Sequence, residues 1–507
     1  MGLLDNVKQM VVKLFGIVPA VTQANIVVRE NTTKEINVLK NELWYRGDPV
    51  ELEQYYKQVA ELAIDGYSVI PSTRFWAAAP VGNPLVRKIH SGLPRMIADK
   101  IAGIVVEDMR EADMDGAYKS RWNTIAKDID FQELLKEATI QTLSRGDGAF
   151  KICIDHELSN YPLVEFYAGN KVDYEYRRGK LIEIIFYTEY SKGTKSYKLV
   201  EHYGKGYVKY ELQDILEKKC DLSVLEQTAD LVDVTFEGDY IMGVPMKFYK
   251  SAKFEDRGDS IFEGKGDMFD ALDETISTWM DAMRAGRVKQ YIPDSLIPRN
   301  ENTGEVLKPD VFNPYLQKGS SLAEDSKELI EVIQGQIDYT GLLTSYVTFL
   351  DCCLQGLISP STLGIDVKKL DNAESQREKE KTTMYSRDTL IGVLAKVLPQ
   401  LVEVVLKTED NMNNKSPATD CGNASFEWGQ YANPSFEAMV ETVGKAKTFG
   451  IMSIEQCVEE LYGDMMDADD KKVEIERLKN ELNVATQVDE PQLGDDLPEG
   501  VDGVDAV

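Results

Sequence analysis

The first strongly periodic stretch of the chain runs from Thr33 to about Ala63, where apolar residues recur at the three- and four-residue spacing of an amphipathic helix. The tripeptide Gly47-Asp48-Pro49 interrupts this pattern. Proline suits the first turn of a helix, and aspartate suits the position before it. The pattern therefore predicts two consecutive helices, with Asp48 as the N-cap of the second and Pro49 in its first turn.

A third helix is predicted between Pro84 and Val106, starting after Pro94 and leading into a strand-like segment, IAGIVV. The block from Ala149 to Tyr249 then changes character. Its short runs are rich in β-branched and aromatic residues and are separated by glycine-containing turns, which is typical of antiparallel strands. We expect six or more strands, combined with the preceding helices in one α+β domain.

Helical spacing returns between Gly266 and Lys289, with an apolar stripe through Met268, Leu272 and Trp279. The acidic residues of this segment are predicted to lie mostly off the stripe; they are Asp267, Asp270, Asp273, Glu274 and Asp281. Acidic residues near the start and basic residues near the end complement the helix dipole. These charges therefore have a structural explanation that requires no ligand.

Four prolines crowd into the next stretch, at Pro293, Pro298, Pro309 and Pro314. Because proline breaks helices, this density predicts an extended, turn-rich excursion between two helical regions. A strand-like segment follows from Leu329 to Ile337, and a helix with a broad apolar face is predicted from Thr340 to Leu357. The loop ISPSTLGIDVKKL comes after it.

The longest helical pattern runs from Asn372 to Leu406 and would span about 50 Å at 1.5 Å per residue. Pro399 is expected to kink it. Three further helices are predicted, at Ser435 to Phe449, Ser453 to Tyr462 and Asp469 to Leu482. The tail from Asp489 is acidic and contains no basic residue, which favours disorder.

The composition argues against several classes of protein. The 507 residues carry 86 acidic and 57 basic side chains, a net charge of −29, which argues against tight general binding to nucleic acid. The six cysteines are scattered and show no metal or disulfide spacing. The first thirty residues are predicted to form an amphipathic arm or helix, and no apolar run is long enough for a membrane span. We expect an intracellular protein that is kept reduced.

Catalytic motifs are absent from the sequence. The nearest approach to a phosphate-binding loop, Gly258 to Gly266, fails on spacing and lacks Ser or Thr after Lys265. His90, His156 and His202 lie in three different segments without a recognisable nucleophile. We expect no enzyme activity, no metal and no cofactor. Two other interpretations stay open: a magnesium-dependent packaging-associated nuclease or ATPase, and an acidic capsid scaffold or adaptor protein.

Four stretches carry a resemblance to a known family: NELWYRGDPVELEQYYK at 41–57, LIEVIQGQI with its following helix, ISPSTLGIDVKKLDNAESQREKEK at 358–381, and GIMSIEQCVEELYG at 450–463. In these stretches and in the order of its elements, the chain resembles the portal proteins of tailed double-stranded-DNA bacteriophages, of the type found in phages of Gram-positive hosts. The resemblance implies a ring-shaped homo-oligomer of typically twelve subunits at one capsid vertex, with DNA packaged and ejected through its channel.

The fold class that the resemblance implies is α+β, with an α/β wing, a helical stem, an extended clip, a long kinked helix and a helical crown. The implied boundaries are 1–264 for the N-terminal arm and wing, 265–290 for the stem helix, 291–332 for the clip, 333–358 for the stem strand and helix, 359–372 for the tunnel loop, 373–410 for the long kinked wing helix, 411–484 for the crown and 485–507 for the acidic, disordered tail.

The resemblance also implies contact sites. The DNA-channel residues of the tunnel loop would be Ser359, Ser361, Lys368 and Lys369, and the clip residues meeting the motor and adaptors would be Pro298, Arg299, Asn300 and Glu301. The implied partners are further copies of the chain, double-stranded DNA, the terminase large subunit, a head-tail adaptor, and the major capsid and scaffolding proteins, with no membrane. The implied location is the portal vertex of the virion, after assembly in the host cytoplasm.

Overall fold

The computed structural model describes residues 33–62, 74–78, 87–287, 289–293, 303–305, 315–318, 331–365, 373–418, 423–429, 436–462, 466 and 468–488. The chain divides into two compact units, Met1–Gly429 and Gln430–Val507. Helices and strands both contribute to the first unit, which confirms the predicted α+β class.

The first unit contains eight α-helices within its described residues: α1 Lys34–Arg46, α2 Pro49–Leu62, α3 Leu93–Val106, α4 Gly116–Asp128, α5 Phe131–Arg145, α6 Gly266–Ala285, α7 Tyr339–Leu354 and α8 Ala373–Met412. The predicted break between α1 and α2 is confirmed. Gly47 ends α1 with a φ of 69°, and its N–H donates to the Leu43 carbonyl at 2.9 Å. The Asp48 carboxylate accepts from the Val50 N–H at 2.8 Å and so caps α2 as predicted.

One prediction is wrong at helix α3. The segment IAGIVV is not a strand, because α3 continues through it to Val106. The side chains of Ile97, Ile101 and Val105 are at most 4% exposed, so α3 is buried over much of its surface. A helix that is buried on most sides can be apolar all round. A short apolar run in such a helix cannot be distinguished by its spacing from a buried strand.

The predicted antiparallel strands form two sheets. The strands are β1 Asp147–Cys153, β2 Leu163–Ala168, β3 Val172–Arg177, β4 Lys180–Lys192, β5 Lys195–Gly204, β6 Tyr207–Asp214, β7 Lys219–Cys220, β8 Val234–Thr235 and β9 Gly243–Lys247. One sheet has the order β2-β1-β9, and the other has the order β3-β4-β5-β6-β7 with β8 paired to β6. All of these pairings are antiparallel, as the sequence pattern predicted.

A buried arginine joins the two sheets. The Arg257 guanidinium, 8% exposed, donates to the Asp147 carboxylate of β1 at 2.7 Å and to the Asp173 carboxylate of β3 at 3.0 Å. It also donates to the carbonyls of Gly169 at 2.6 Å and Val172 at 2.9 Å. Four charge-assisted hydrogen bonds from its two terminal nitrogens hold this cation away from water, while its Nε–H is buried without a partner. The guanidinium therefore fixes the relative position of β1 and β3.

Helix α6 ends at Ala285, four residues before the predicted end, because Lys289 already belongs to a strand. The pattern predicted that the acidic residues of α6 lie mostly off the buried stripe. Two of them, Asp270 and Asp273, are nevertheless buried, with 7% and 0% of their surface exposed. The Asp270 carboxylate accepts from the backbone N–H groups of Phe75 and Trp76 at 3.0 and 3.3 Å. Hydrogen-bond donors from distant parts of the chain therefore make burial of these carboxylates tolerable.

The long helix α8 spans 40 residues and is continuous through Pro399. Its segment Glu380–Met412 is, within the described part of the chain, the one helix long and apolar enough to cross a membrane by length and composition. Leu394, Leu398 and Leu401 are fully buried in the first unit, which is the ordinary place of a core helix. Two ion pairs of 2.7 Å also join Arg121 of α4 to Glu409 and Asp410 of α8.

The second unit has three helices among its described residues, α9 Phe436–Thr448, α10 Ile454–Tyr462 and α11 Ala468–Val488. These confirm the three predicted C-terminal helices, and α11 extends further than the pattern indicated. Val443, Cys457 and Val458 are buried between them. The acidic tail from Asp489 lies outside the described residues.

A carboxylate at the start of α10 gives a pH prediction. Hydrogen bonding from the Lys479 ammonium, with further help from the backbone and Ser453, lowers the pKa of Glu455 from 4.5 to about 2. This contact between α10 and α11 is therefore fully present above pH 4.5 and is lost as the pH falls through about 2. We expect Lys479→Met to raise the Glu455 pKa towards 4.5, as measured by the side-chain carbon shift in an NMR titration. An unchanged pKa in the variant would show that Lys479 does not hold this carboxylate.

Candidate functional site

Helices α6 and α7 form an antiparallel pair. The start of α6 meets the end of α7, because the Lys265 ammonium reaches the carbonyls of Cys352 and Gln355. The middle of the pair is joined by Trp279 and Tyr346, whose rings lie 6.4 Å apart in an edge-on arrangement. We call α6 and α7 together the helical hairpin.

A small three-stranded sheet lies between α6 and α7 in the chain. Strand β10, Lys289–Pro293, lies in the centre, pairs in parallel with β11, Tyr315–Lys318, and pairs antiparallel with β12, Glu331–Ile333. The predicted strand from Leu329 to Ile337 is thus shorter than expected, since residues 334–338 have no regular structure. The predicted proline-rich excursion is described only at these three strands and at residues 303–305, and Pro298, Pro309 and Pro314 lie outside the described residues.

The face of α7 is neutral and largely uncovered by its own unit. From Tyr339 to Leu350 the helix carries no charged residue, and its buried side chains are confined to Leu350, Cys353 and Leu354 at one end. Tyr339 and Leu343 are 57% and 46% exposed. An apolar helix of this kind gains free energy when another surface removes it from water, at about 25 cal/mol per Å² of apolar area.

The hydroxyl groups on α7 do not oppose such contact. Thr344, Ser345 and Thr348 are exposed, and each hydroxyl donates to the backbone carbonyl four residues earlier, at 2.8 to 2.9 Å. A hydroxyl that already donates inside its own helix loses little when water is removed. The exposed face of α7 therefore combines apolar side chains with polar groups whose donors are satisfied.

Lys265 holds the closed end of the helical hairpin. Its ammonium donates to the Cys352 carbonyl at 2.9 Å and the Gln355 carbonyl at 2.8 Å, where the C-terminal end of α7 carries partial negative charge. We expect Lys265→Met to lower the free energy of unfolding by about 1 to 2 kcal/mol, because two charge-assisted hydrogen bonds are lost at a partly exposed position. Urea unfolding followed by tryptophan fluorescence measures this. Lys265→Arg keeps the charge and is the matched control; equal losses in both variants would contradict a role for the charge.

The loop after α7 is fastened to α8. The Ser359 N–H donates to the Thr383 hydroxyl at 2.9 Å, the hydroxyls of Ser359 and Ser361 lie 2.7 Å apart, and those of Thr362 and Thr383 lie 3.2 Å apart. Ser359 is buried and Ser361 is exposed. A cleft of about 380 Å³ opens between this loop, the end of α7 and Thr382.

The structure thus brings Ser359 and Ser361 together at the base of the predicted tunnel loop. The other predicted contact residues lie outside the described residues: Lys368, Lys369, Pro298, Arg299, Asn300 and Glu301. Within the part of the chain that the structure describes, no group of three or more His, Cys, Asp and Glu side chains is placed to hold a metal ion.

Sequence reasoning missed a polar cluster beside the helical hairpin. Asp273 of α6 accepts from the Ser91 N–H at 2.8 Å and the Trp76 indole N–H at 3.2 Å, and lies 2.7 Å from His90 Nδ1. Its neighbour Asp270 has a raised pKa because it is desolvated by burial. All donors come from residues far away in sequence, so local spacing contained no signal for this cluster. It anchors α6 to the segments 74–78 and 87–91.

Comparison with known proteins gives a distant structural likeness. No family model matches the chain, and no curated protein matches it. One similar solved chain belongs to a structure described as "Neck of native GTA particle computed with C12 symmetry"; it is 9% identical, with 76% of this chain and 90% of that chain covered and a TM-score of 0.36. Another belongs to "Virion of native gene transfer agent (GTA) particle", with 11% identity, 88% and 94% covered, and a TM-score of 0.37. These scores carry no argument about function.

Proposed function

We propose that this chain is the subunit of a phage-type portal, a non-enzymatic ring at one vertex of a capsid through which double-stranded DNA is packaged and ejected. In this proposal the helical hairpin is the stem, the β10–β12 sheet belongs to the clip, and α8 joins the channel loop to the wing. Twelve copies form the ring. The terminase motor and head-tail adaptors contact the clip, and the capsid and scaffolding proteins contact the ring from outside.

The neutral, exposed face of α7 is the observation that carries the proposal. A chain with a net charge of −29 has ample charged residues to solvate a surface helix, yet α7 has none between Tyr339 and Leu350. A helix that packs against the next copy in a ring needs such a face, because a buried, unpaired charge would cost several kcal/mol. The stretch 358–381, which resembles the portal family, follows α7 directly and supports the same assignment.

The charge of the chain fits a conduit. Twelve subunits of net charge −29 repel DNA at short range, so the ring would surround DNA without binding it tightly. A packaging channel requires DNA to slide. The same charge is unfavourable for a nuclease that must hold its substrate, and no catalytic motif in the sequence supports that alternative.

Light scattering coupled to size-exclusion chromatography tests the proposal. The purified full-length protein is expected to elute as a species close to twelve copies of a 57.0 kDa chain, or a neighbouring number of copies. A monomer at every concentration would contradict the proposal. An assembly of two to four copies would favour the scaffold or adaptor alternative instead.

The predicted channel lysines give a separate test. We expect Lys368→Ala combined with Lys369→Ala to leave ring assembly intact and to change how much DNA is packaged or retained, because two bases per subunit become a positive ring after assembly. Quantitative PCR of nuclease-protected DNA in assembled particles measures this. Lys445→Ala with Lys447→Ala removes two bases from α9 and is the control. Unchanged DNA content in the loop variant would remove Lys368 and Lys369 from the channel.

A further inference from the structure

Three cations stand together at the turn between β3 and β4. Arg177, Arg178 and Lys180 are all exposed, and none of their side chains forms a hydrogen bond or ion pair within the described part of the chain. The chain has 86 acidic side chains, so an unpaired basic group of this size is unexpected on composition alone. We call these three residues the basic turn.

The backbone holds the basic turn in a fixed shape. Arg178 and Gly179 have φ angles of 53° and 76°, which is the left-handed pair of a two-residue type I′ hairpin turn. Arg177 and Lys180 are directly paired across the turn, so their side chains leave the same face of the hairpin. Like charges at directly opposed positions destabilise a hairpin, and arginine at positive φ adds strain.

Nearby carboxylates do not neutralise the basic turn. Glu183 of β4 lies 3.2 Å from His202 Nδ1 and accepts from the Tyr207 hydroxyl at 3.4 Å. Glu175 of β3 is exposed and forms no ion pair with Arg177, two residues further along the strand. The repulsion within the basic turn therefore has no compensation among the described residues, and a bound anion would supply it.

We propose that the basic turn binds the phosphate backbone of duplex DNA. Guanidinium groups match the geometry of phosphate oxygens, and two arginines with a lysine over a two-residue turn contact successive phosphates. Salt limits the reach of the other charges to about 8 to 10 Å, so the net charge of −29 does not cancel a local basic group. The choice of DNA as the polyanion rests on the proposed function. The contact adds a backbone-binding point outside the predicted channel loop, and it carries no sequence preference.

Fluorescence anisotropy with a labelled duplex of about 30 base pairs, over about 50 to 200 mM salt, tests this inference on the full-length protein. The test variant carries Arg177→Gln, Arg178→Gln and Lys180→Gln. The control carries Lys127→Gln, Lys195→Gln and Lys218→Gln, which removes the same charge from scattered exposed positions. We expect the test variant to bind the duplex at least about tenfold more weakly at the lowest salt concentration. The slope of log binding constant against log salt concentration is expected to be smaller in magnitude by up to about 2.7 for each basic turn that contacts the DNA. The control is expected to change by less than about twofold.

Equal losses in both variants, unchanged binding by the test variant, or no binding by the unmodified protein would overturn the inference. Turn-dependent binding to vesicles of anionic lipid, without binding to the duplex, would also contradict it. Electron microscopy of the same preparations separates the two proposals. If the protein forms rings and the test variant binds DNA with unaltered affinity, only the proposed DNA contact is wrong. If DNA binding depends on the basic turn but the protein forms no ring, only the proposed portal function is wrong.

Discussion

Leu343→Asp is expected to prevent assembly of the proposed ring and to leave a folded monomer. Leu343 is 46% exposed on α7, so aspartate at this position is tolerated by the isolated subunit. In the proposed ring, contact between α7 and the next subunit would bury the same carboxylate without a cation on α7 to pair with it. Burial of an unpaired carboxylate costs about 3 kcal/mol or more at each interface, which weakens each contact by more than about a hundredfold.

The matched control for this variant is Ile215→Asp, a change of the same kind at an 81% exposed position on the β6–β7 turn. Mass photometry at the same concentration compares the three proteins, and circular dichroism checks that each is folded. The control and the unmodified protein are expected to remain assembled. Rings of unchanged size in Leu343→Asp would mean that α7 does not form the subunit interface.

Arg257→Met is expected to destabilise the first unit by about 3 to 5 kcal/mol, because it leaves the buried Asp147 carboxylate without its cation. Burial already raises the pKa of Asp147, and loss of the guanidinium would raise it further. A carboxyl group with a raised pKa in the folded state favours folding as the pH falls, since the folded state then binds the proton more tightly. The loss is therefore expected to be smaller at low pH than at neutral pH.

Urea unfolding at low pH and at neutral pH measures the free energy of unfolding of each variant. One protein concentration is used throughout, so that assembly contributes equally. Lys253→Met is the control, because the Lys253 side chain is half exposed and its ion pair with Glu263 contributes less than about 1 kcal/mol. Adding Asp147→Asn to Arg257→Met removes the unpaired charge and is expected to restore part of the lost stability. A double variant no more stable than Arg257→Met would contradict this explanation.

Local signals account for the parts of the fold that were predicted correctly. Gly47, Asp48 and Pro49 determine the turn between α1 and α2 through backbone geometry alone, so no distant contact is needed to recognise it. Alternation and turn glycines likewise identify β3 to β6. The three C-terminal helices follow from apolar spacing of three and four residues.

The errors have a common physical cause, which is burial by distant segments. IAGIVV looks like a strand until the rest of the first unit encloses α3 on several sides. Asp273 looks like a solvent-facing acid until Trp76 and Ser91, more than 180 positions earlier, supply its donors. Neither contact leaves a trace in local spacing. The basic turn was visible in the sequence as Arg-Arg-Gly-Lys, but its lack of ionic partners became evident only from the structure.

The candidate site was predicted in outline. The succession of helix, proline-rich excursion, helix and loop was evident from the sequence, and the structure contains that order as α6, the β10–β12 sheet, α7 and the loop fastened to Thr383. The exposure of α7 could not be predicted, because an apolar helix is buried by default. Only the packed subunit reveals that one end of α7 is covered while the face around Leu343 is not.

Electron microscopy of the purified full-length protein tests the central claim most directly. The account predicts a ring with a central channel, in which α7 of each subunit contacts the neighbouring copy and the helical hairpin surrounds the channel. A compact monomer, or a closed ring in which the face around Leu343 is open to solvent, would contradict it.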